Sequence, residues 1–161
     1  MSEATYSGGC FCGEVRFSIR GPVRSAQVCH CSICRQLQGS SLGQLAAFFN
    51  VDDFKIEKGA DKITTYLSPL KYSRNFCSTC GSRVNLSFEK ADMEIPFVVV
   101  YPTMLDELKS AETLPDEFRP ARHIFYADRL YDNNDGIPKF VDMPAEFGGS
   151  GKVLNDNGSP A

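Results

Sequence analysis

The seven cysteines of this 161-residue chain lie in three short clusters. The clusters are Cys10 and Cys12; Cys29, Cys31 and Cys34; and Cys77 and Cys80. Zinc prefers sulfur donors in a tetrahedral arrangement, and closely spaced thiolates lower the entropy cost of assembling such a site. The spacing therefore predicts metal binding.

Seven ligands divide most economically into a site of four and a site of three. The two pairs would form one closed structural site that joins the N-terminal hairpin to a turn more than sixty residues later. A rival partition joins the first pair to Cys29 and Cys31 and leaves Cys34 with the second pair. Below, the four-cysteine group means Cys10, Cys12, Cys77 and Cys80, and the three-cysteine group means Cys29, Cys31 and Cys34.

The three-cysteine group admits several interpretations. His30 or His123 could complete a second structural site, although the ring of His30, between two ligands of an extended segment, would point away from them. The group could instead lack a metal, because three ligands bind more weakly than four, or it could be a redox thiol cluster. Three protein ligands with one open position are the pattern of a catalytic zinc.

The ligand type indicates which chemistry such a zinc would favour. A zinc dication and three thiolates sum to a net charge of about −1, which blunts the Lewis acidity of the metal. Such a site is better suited to holding an incoming thiol as its thiolate than to making hydroxide. Nearby, Arg35 could bind a carboxylate of an anionic thiol, His30 could relay protons, and His123 could face the open position.

Short runs rich in β-branched and aromatic residues, separated by Gly, Pro, Asn or Asp, are typical of an antiparallel β domain. Residues 14–19 alternate apolar and polar side chains and predict a strand, and residues 23–29 are expected to return beside it. Ser68 and Pro69 lie between two such runs and predict a hairpin connection.

Helix is expected to be sparse. Residues 103–114 are the best helical candidate, and residues 31–39 predict a short helix closed by Gly39. One domain is predicted over residues 1–146. Residues 147–161 are rich in Gly, Ser and Asn and predict a flexible tail.

Charge and hydrophobicity limit the expected partners and location. The net charge of −3 argues against a nucleic-acid partner, because dedicated nucleic-acid binders are usually basic. The longest apolar stretch, residues 95–101, is far below the ~20 residues of a membrane span, and the N-terminus lacks a secretory pattern. We therefore expect a cytoplasmic protein, monomeric or homodimeric, without membrane partners. In that reducing compartment, clustered cysteines favour metal over disulfides.

Residues 8–17, 29–40 and 74–82 together resemble the glutathione-dependent formaldehyde-activating enzyme family, also called the centromere protein V family. The order, spacing and flanking residues of the three cysteine motifs all fit. Residues 122–140 resemble the C-terminal segment of the family, with His123 at its usual histidine. The resemblance implies a mainly β fold, the β-tent (Mss-four-like) fold, in which antiparallel sheets with few short helices surround a structural zinc.

The resemblance also implies how the cysteines are used. The four-cysteine group would hold the structural zinc, and the three-cysteine group would hold a second, catalytic zinc. The implied activity is the addition of glutathione to formaldehyde, which gives S-hydroxymethylglutathione and is classed as a carbon–sulfur lyase reaction. We therefore expect two zinc ions per chain and small-molecule thiol and aldehyde substrates. The alternative is a non-catalytic, zinc-stabilised binding module or thiol carrier.

Overall fold

A computed structural model describes residues 4–69, 71–88, 96–155 and 159. Within these residues the protein is mainly β, with twelve strands and one α-helix, α1 (Ser32–Gln38). The strands are β1 (Thr5–Gly9), β2 (Arg16–Arg20), β3 (Ser25–Cys29), β4 (Gln44–Asn50), β5 (Phe54–Lys58), β6 (Ile63–Leu67), β7 (Tyr72–Cys77), β8 (Arg83–Phe88), β9 (Phe97–Val100), β10 (His123–Ile124), β11 (Lys139–Phe140) and β12 (Val153–Leu154). Short 3-10 helices cover Val51–Asp53, Ala60–Lys62, Pro102–Met104, Asp106–Leu108, Asp116–Phe118, Tyr126–Asp128 and Ala145–Phe147.

The chain forms two compact units. The first unit is Met1–Arg24 with Ala47–Asp116, and the second is Ser25–Ala46 with Glu117–Ala161. The four-cysteine group therefore belongs to the first unit and the three-cysteine group to the second. The expectation of one domain over residues 1–146 with a flexible tail stays a prediction, and β12 lies within the segment expected to be the tail.

The first unit contains antiparallel strand pairs throughout its described sheets, as the sequence predicted. In one sheet β2 lies between β1 and β5. In the other, Ala47–Asn50 of β4 pair with β9, which is followed by β8, β7 and β6. Burial of apolar side chains from both sheets supplies the main driving force for this packing. The buried side chains include Phe17, Ile19, Phe49, Val84, Val98 and Val100.

The structure confirms two of the three local predictions for strands and turns in the first unit. The residues of β2 alternate buried and partly exposed side chains, as predicted for residues 14–19. Ser68 and Pro69 connect the antiparallel pair β6 and β7, which confirms the predicted hairpin. The expected return of residues 23–29 beside β2 is wrong, because β1 and β5 already occupy both edges of β2.

The second unit contains a small mixed sheet whose centre is the two-residue strand β10. Both neighbours of β10, β3 and β11, run parallel to it, whereas β12 is antiparallel to β11. The register places His123 opposite Val28 on one side and Lys139 on the other. Parallel pairs need long crossover connections, so local sequence patterns do not reveal them.

Helix α1 forms where a short helix was predicted. Its N-cap is Cys31, whose sulfur accepts the backbone N–H of Cys34. Gly39 ends the helix with φ +60°, a left-handed conformation that glycine adopts without a steric penalty, and its N–H returns to the Arg35 and Gln36 carbonyls. Among the described residues, no helix has the length and apolar character that a membrane span requires.

The helix expected over residues 103–114 is absent from the described chain. Two 3-10 turns, Pro102–Met104 and Asp106–Leu108, flank Leu105, which is extended and fully buried. Leu105 makes a β-bridge to Gly8, so a long-range contact interrupts the helical period. A Cβ at Gly8 would lie 2.6 Å from the Phe17 ring and 2.7 Å from the Met104 carbonyl oxygen, which explains the glycine at that contact.

An ion pair secures the same segment. The guanidinium of Arg16 forms paired hydrogen bonds with the carboxylate of Asp106, and Lys109 donates to the same carboxylate at 2.7 Å. The hydrogen bond from Arg16, opposed by burial and reinforced by Lys109, lowers the pKa of Asp106 to about 2. The stabilisation is therefore fully present above the ordinary pKa of 3.8 and is lost as the pH falls toward about 2.

We expect Asp106→Asn to lower the free energy of unfolding by about 1 kcal/mol, because both side chains are roughly one-third exposed and solvent screens the pair. The difference from the unmodified protein should stay constant between about pH 8 and about pH 5, because the carboxylate is ionised in both states there. Urea unfolding measures it. Asp61→Asn is the control, since that carboxylate is 76% exposed and its loss should have almost no effect. A difference that shrinks above about pH 5 would contradict the assignment.

Candidate metal centres

The four-cysteine group assembles from two turns of the first unit. Cys10 and Cys12 lie in the turn between β1 and β2, whereas Cys77 ends β7 and Cys80 lies in the turn before β8. Their four sulfur atoms all lie within 4.8 Å of one another. Cys10 and Cys77 are buried, Cys80 is half-buried and Cys12 is exposed. This arrangement brings together the two pairs that the spacing favoured, and not the rival partition.

The two turns are built alike. In each turn a glycine with positive φ donates to the carbonyl of the first cysteine, Gly13 to Cys10 at 3.1 Å and Gly81 to Cys77 at 2.8 Å. In the first turn the backbone N–H of Val15 donates to Cys10 Sγ at 3.2 Å, and the Glu14 backbone hydrogen-bonds the Cys12 thiol. Both glycines thus shape the turns, because each permits a left-handed conformation.

The surroundings of the four-cysteine group affect its thiols unequally. At Cys12 a hydrogen bond with the Glu14 backbone is outweighed by burial and the neighbouring thiols, which raise the pKa of Cys12 to about 12. Hydrogen bonds with the side chain and backbone of Ser82 lower the pKa of Cys80 to about 5. Since thiolates rather than thiols bind metals, this supports ligation near neutral pH. Four sulfur donors fit a structural zinc in type and number.

The three-cysteine group occupies a single stretch of the second unit. Cys29 ends β3 and is buried, Cys31 caps α1, and Cys34 lies in its first turn; the last two are half-buried. The three sulfur atoms lie within 4.8 Å of one another. Hydrogen bonds with the Cys29 and Cys34 thiols lower the pKa of Cys31, whereas hydrogen bonds with the Cys31 and Cys34 thiols raise the pKa of Cys29, so the thiolate form is favoured at Cys31. Three soft donors, two of them on half-buried residues, fit a thiophilic metal with room for one further ligand.

Neither histidine joins the three-cysteine group. Among the described residues, the ligand atoms within reach of one another there are the three sulfurs. The ring of His30 is 1% exposed and its Nε2 lies 2.8 Å from His123 Nδ1, within the second unit. Burial, with the nearby His123, Arg129 and Arg35, lowers the pKa of His30 to about 4, so its ring is neutral at neutral pH.

Sequence reasoning missed three residues that surround the histidines. Asp135 Oδ2 lies 2.8 Å from His123 Nε2, and Asp135 Oδ1 accepts from Lys139 Nζ at 2.9 Å. The ring of Tyr126 is fully buried and packs 4.9 Å from the His30 ring, centroid to centroid. One sequence feature could have pointed to these residues. Lys139 is flanked by apolar residues, and a lysine in a buried strand must have an anionic or polar partner.

Arg35 follows Cys34 directly in α1 and is half-buried. Its Nε donates to the backbone carbonyl of His30 at 3.0 Å, which tethers the guanidinium to the segment carrying Cys29 and Cys31. The arrangement holds a permanent positive charge beside the three-cysteine group. Such a charge can bind an anionic substrate group.

Comparison with known proteins points to one family. The family described as glutathione-dependent formaldehyde-activating enzyme matches residues 5–128. A crystal structure of a Rhodobacter sphaeroides protein is similar, with a TM-score of 0.53 and 21% identity. The alignment covers 73% of this chain and 98% of that one. At this identity the likeness concerns the fold alone.

Proposed function

Because this chain belongs to the glutathione-dependent formaldehyde-activating enzyme family, we propose that it catalyses the addition of a small thiol to formaldehyde or another small aldehyde. The family implies glutathione-dependent formaldehyde activation, so glutathione is the first candidate thiol. A bond forms between the thiol sulfur and the carbonyl carbon, and the carbonyl oxygen takes up the proton that the thiol releases. Nothing is oxidised or reduced, and the reverse step makes the enzyme a carbon–sulfur lyase.

The observation that carries this proposal is the three-cysteine group. Its three sulfurs lie within 4.8 Å of one another, and Cys31 and Cys34 are half-buried whereas Cys29 is buried. A zinc bound by Cys29, Cys31 and Cys34 would supply a soft site that holds an incoming thiol as its thiolate. The four-cysteine group would hold a second, structural zinc.

The protein's own groups have separate parts in this proposal. Arg35, tethered by Nε to the His30 carbonyl, supplies the positive charge that would orient a substrate carboxylate. His30 and His123 are buried behind the cysteines and hydrogen-bonded to each other, so we assign them to support rather than to substrate contact. The partners are then small molecules, and the net charge of −3 argues against nucleic acid. We also propose a cytoplasmic monomer or homodimer.

Adduct exchange tests the proposal. Zinc-loaded protein is mixed with glutathione and ¹³C-labelled formaldehyde, and NMR exchange spectroscopy measures the rate at which free and thiol-bound formaldehyde interconvert. We expect exchange well above the rate in buffer, increasing in proportion to protein concentration. Exchange no faster than in buffer, with glutathione and with other cellular thiols, would overturn the catalytic assignment.

Exposed apolar residues beside the three-cysteine group favour a second candidate function. Ile33 and Leu37 on α1 are 43% and 38% exposed, and Leu42 is 61% exposed. A contiguous exposed apolar patch marks a surface that binds a partner, and these three residues would form its centre. A binding module or thiol carrier would show saturable binding without turnover, so the same exchange experiment distinguishes it from an enzyme.

A further inference from the structure

A chain of hydrogen bonds runs through the second unit from the three-cysteine group to its surface. His30, between Cys29 and Cys31, contacts His123, which contacts Asp135, which contacts Lys139. The three bonds measure 2.8, 2.8 and 2.9 Å. His30, His123 and Lys139 are each at most 2% exposed, whereas the Asp135 side chain is 37% exposed. Asp135 and Lys139 lie beyond the residues matched to the family.

Chemistry dictates the order of protons along this chain. Lys139 Nζ and the backbone N–H of Ile137 both donate to Asp135 Oδ1, so this carboxylate is ionised and accepts at its other oxygen as well. Nε2 of His123 must then carry the proton. When both rings are neutral, Nδ1 of His123 accepts from Nε2 of His30, and Nδ1 of His30 then carries no proton.

Two cationic side chains lie close to the histidine pair. Lys139 already balances the charge of Asp135. The guanidinium of Arg129 lies 4.7 Å from the centroid of the Tyr126 ring, which also packs against both histidines. Lys139 and Arg129 therefore both place fixed positive charge near the buried rings.

The His30 ring is also confined from the opposite side. A Cβ at Gly43 would lie 3.0 Å from both Cε1 and Nδ1 of His30, so the backbone there packs tightly against the ring. Tyr126 closes another side. A ring held on all these sides fixes the backbone on which Cys29 and Cys31 stand.

We propose that Asp135 is a positioning residue: clamped by Lys139, it orients His123, which holds the His30 ring and thereby fixes Cys29 and Cys31 in the geometry that binds metal. This positioning role depends on one part of the proposed function, namely that the three-cysteine group binds zinc. The readouts below are proton positions and metal affinity, so failure here and failure of thiol–aldehyde catalysis are distinguishable.

The proton order can be read directly, because the chain has only two histidines. Long-range ¹H–¹⁵N spectra of zinc-loaded protein, assigned with His30→Gln and His123→Gln, report which ring nitrogen is protonated. We expect a proton on Nε2 of both rings and none on Nδ1 of His123, which accepts from His30. A proton on Nδ1 of His123, or an Nε2 without a proton on either ring, would overturn the proposed proton order, whatever the variants below show.

Asp135→Asn makes a sharper version of this test. Two donors face Oδ1, so the new amide must place its oxygen there and turn its NH₂ toward His123 Nε2. We expect both histidines to switch to the Nδ1–H tautomer, with the hydrogen bonds kept. Asp128→Asn, which changes an exposed carboxylate of the same unit, should leave both tautomers unchanged. Unchanged tautomers in Asp135→Asn would overturn the chain of bonds.

Positioning is tested by zinc affinity, measured by competition against a chromophoric chelator. Asp135→Ala removes the hydrogen bonds to His123 and Lys139. We expect it to weaken the zinc affinity of the three-cysteine group about 10- to 100-fold. Asp135→Asn, which keeps the bonds, should stay within about tenfold of the unmodified protein. The four-cysteine group, in the other unit, should be unchanged and serves as the internal reference. Unchanged affinity at the three-cysteine group in Asp135→Ala would overturn the proposal. If Asp135→Ala does not fold, the tautomers of the unmodified protein and of Asp135→Asn still decide the proton order. A zinc affinity of Asp135→Asn that is weaker by much more than tenfold would then count against positioning, because this variant keeps the hydrogen bonds.

Discussion

Cys77→Ser is expected to unfold the first unit. Cys77 has no exposed surface and joins the end of β7 to the turn that carries Cys10 and Cys12. A structural zinc contributes about 10–16 kcal/mol of apparent binding free energy in small zinc domains, and most of it is folding free energy. The net stability of a domain is only about 5–15 kcal/mol, so losing one of four ligands should remove several kcal/mol and most of the cooperative transition.

Thermal unfolding followed by circular dichroism, together with zinc content per chain, measures this effect. Thr79→Ser is the matched control, because Thr79 is exposed and lies between the two ligands of the same turn. The control should keep its zinc content and melt within a few degrees of the unmodified protein. Should Cys77→Ser instead retain both its zinc and a cooperative transition, the four-cysteine group is not the structural centre.

Cys34→Ser is expected to abolish catalysis without unfolding the protein. Cys34 is half-buried in a seven-residue helix that has no buried residue, so its sulfur contributes little to either core. Metal-ion stabilisation of reacting groups is worth several kcal/mol, and about 1.4 kcal/mol is tenfold in rate. We therefore expect thiol–aldehyde exchange to slow by at least about 100-fold.

The measurement is the NMR exchange rate at matched protein concentration, with the melting temperature recorded for each variant. Gln36→Ala is the control, since Gln36 is exposed on the same helix and bears no ligand. It should retain the exchange rate. A Cys34→Ser variant that melts far earlier, with activity per folded molecule intact, would make the three-cysteine group structural. The two cysteine variants thus assign stability to one group and chemistry to the other.

Opposite outcomes for these variants are expected because the two groups are built differently. The four-cysteine group joins ligands from two turns more than sixty residues apart, so its metal would act as a cross-link within the first unit. The three-cysteine group stands on one stretch of six residues and cross-links nothing. Its rigidity must come from the packing behind it, which is where the two histidines, Asp135 and Lys139 lie.

Much of the candidate site could be predicted because ligand spacing is a local property. Cysteines two or three residues apart bring their sulfurs together in almost any tight turn, so the pairs and the triplet were evident from the sequence. Cys10 and Cys12 were assigned to one site with Cys77 and Cys80 for two reasons. Two pairs and one triplet divide seven cysteines into a site of four and a site of three, and the family resemblance implies the same grouping. The structure brings the same sulfurs together.

The errors arose where distant contacts override local preference. Residues 103–114 favour helix by composition, but Leu105 is extended and buried beside Gly8, nearly one hundred residues earlier in the chain. Within residues 23–29 the strand β3 (Ser25–Cys29) forms, yet it pairs with β10 in the second unit rather than with β2. Strand pairing depends on which edges remain available, and the sequence of one strand does not contain that information.

The sequence by itself determined the family, the mainly β class, the grouping of the sulfur ligands and the short helix closed by Gly39. Each of these depends on residue type and on spacing over a few positions. Only the tertiary structure decided that His30 faces His123 instead of the cysteines, and that Asp135 and a buried Lys139 complete the chain of bonds. The physical reason is that a buried polar group must find a partner, and that partner is chosen by three-dimensional packing rather than by proximity in sequence.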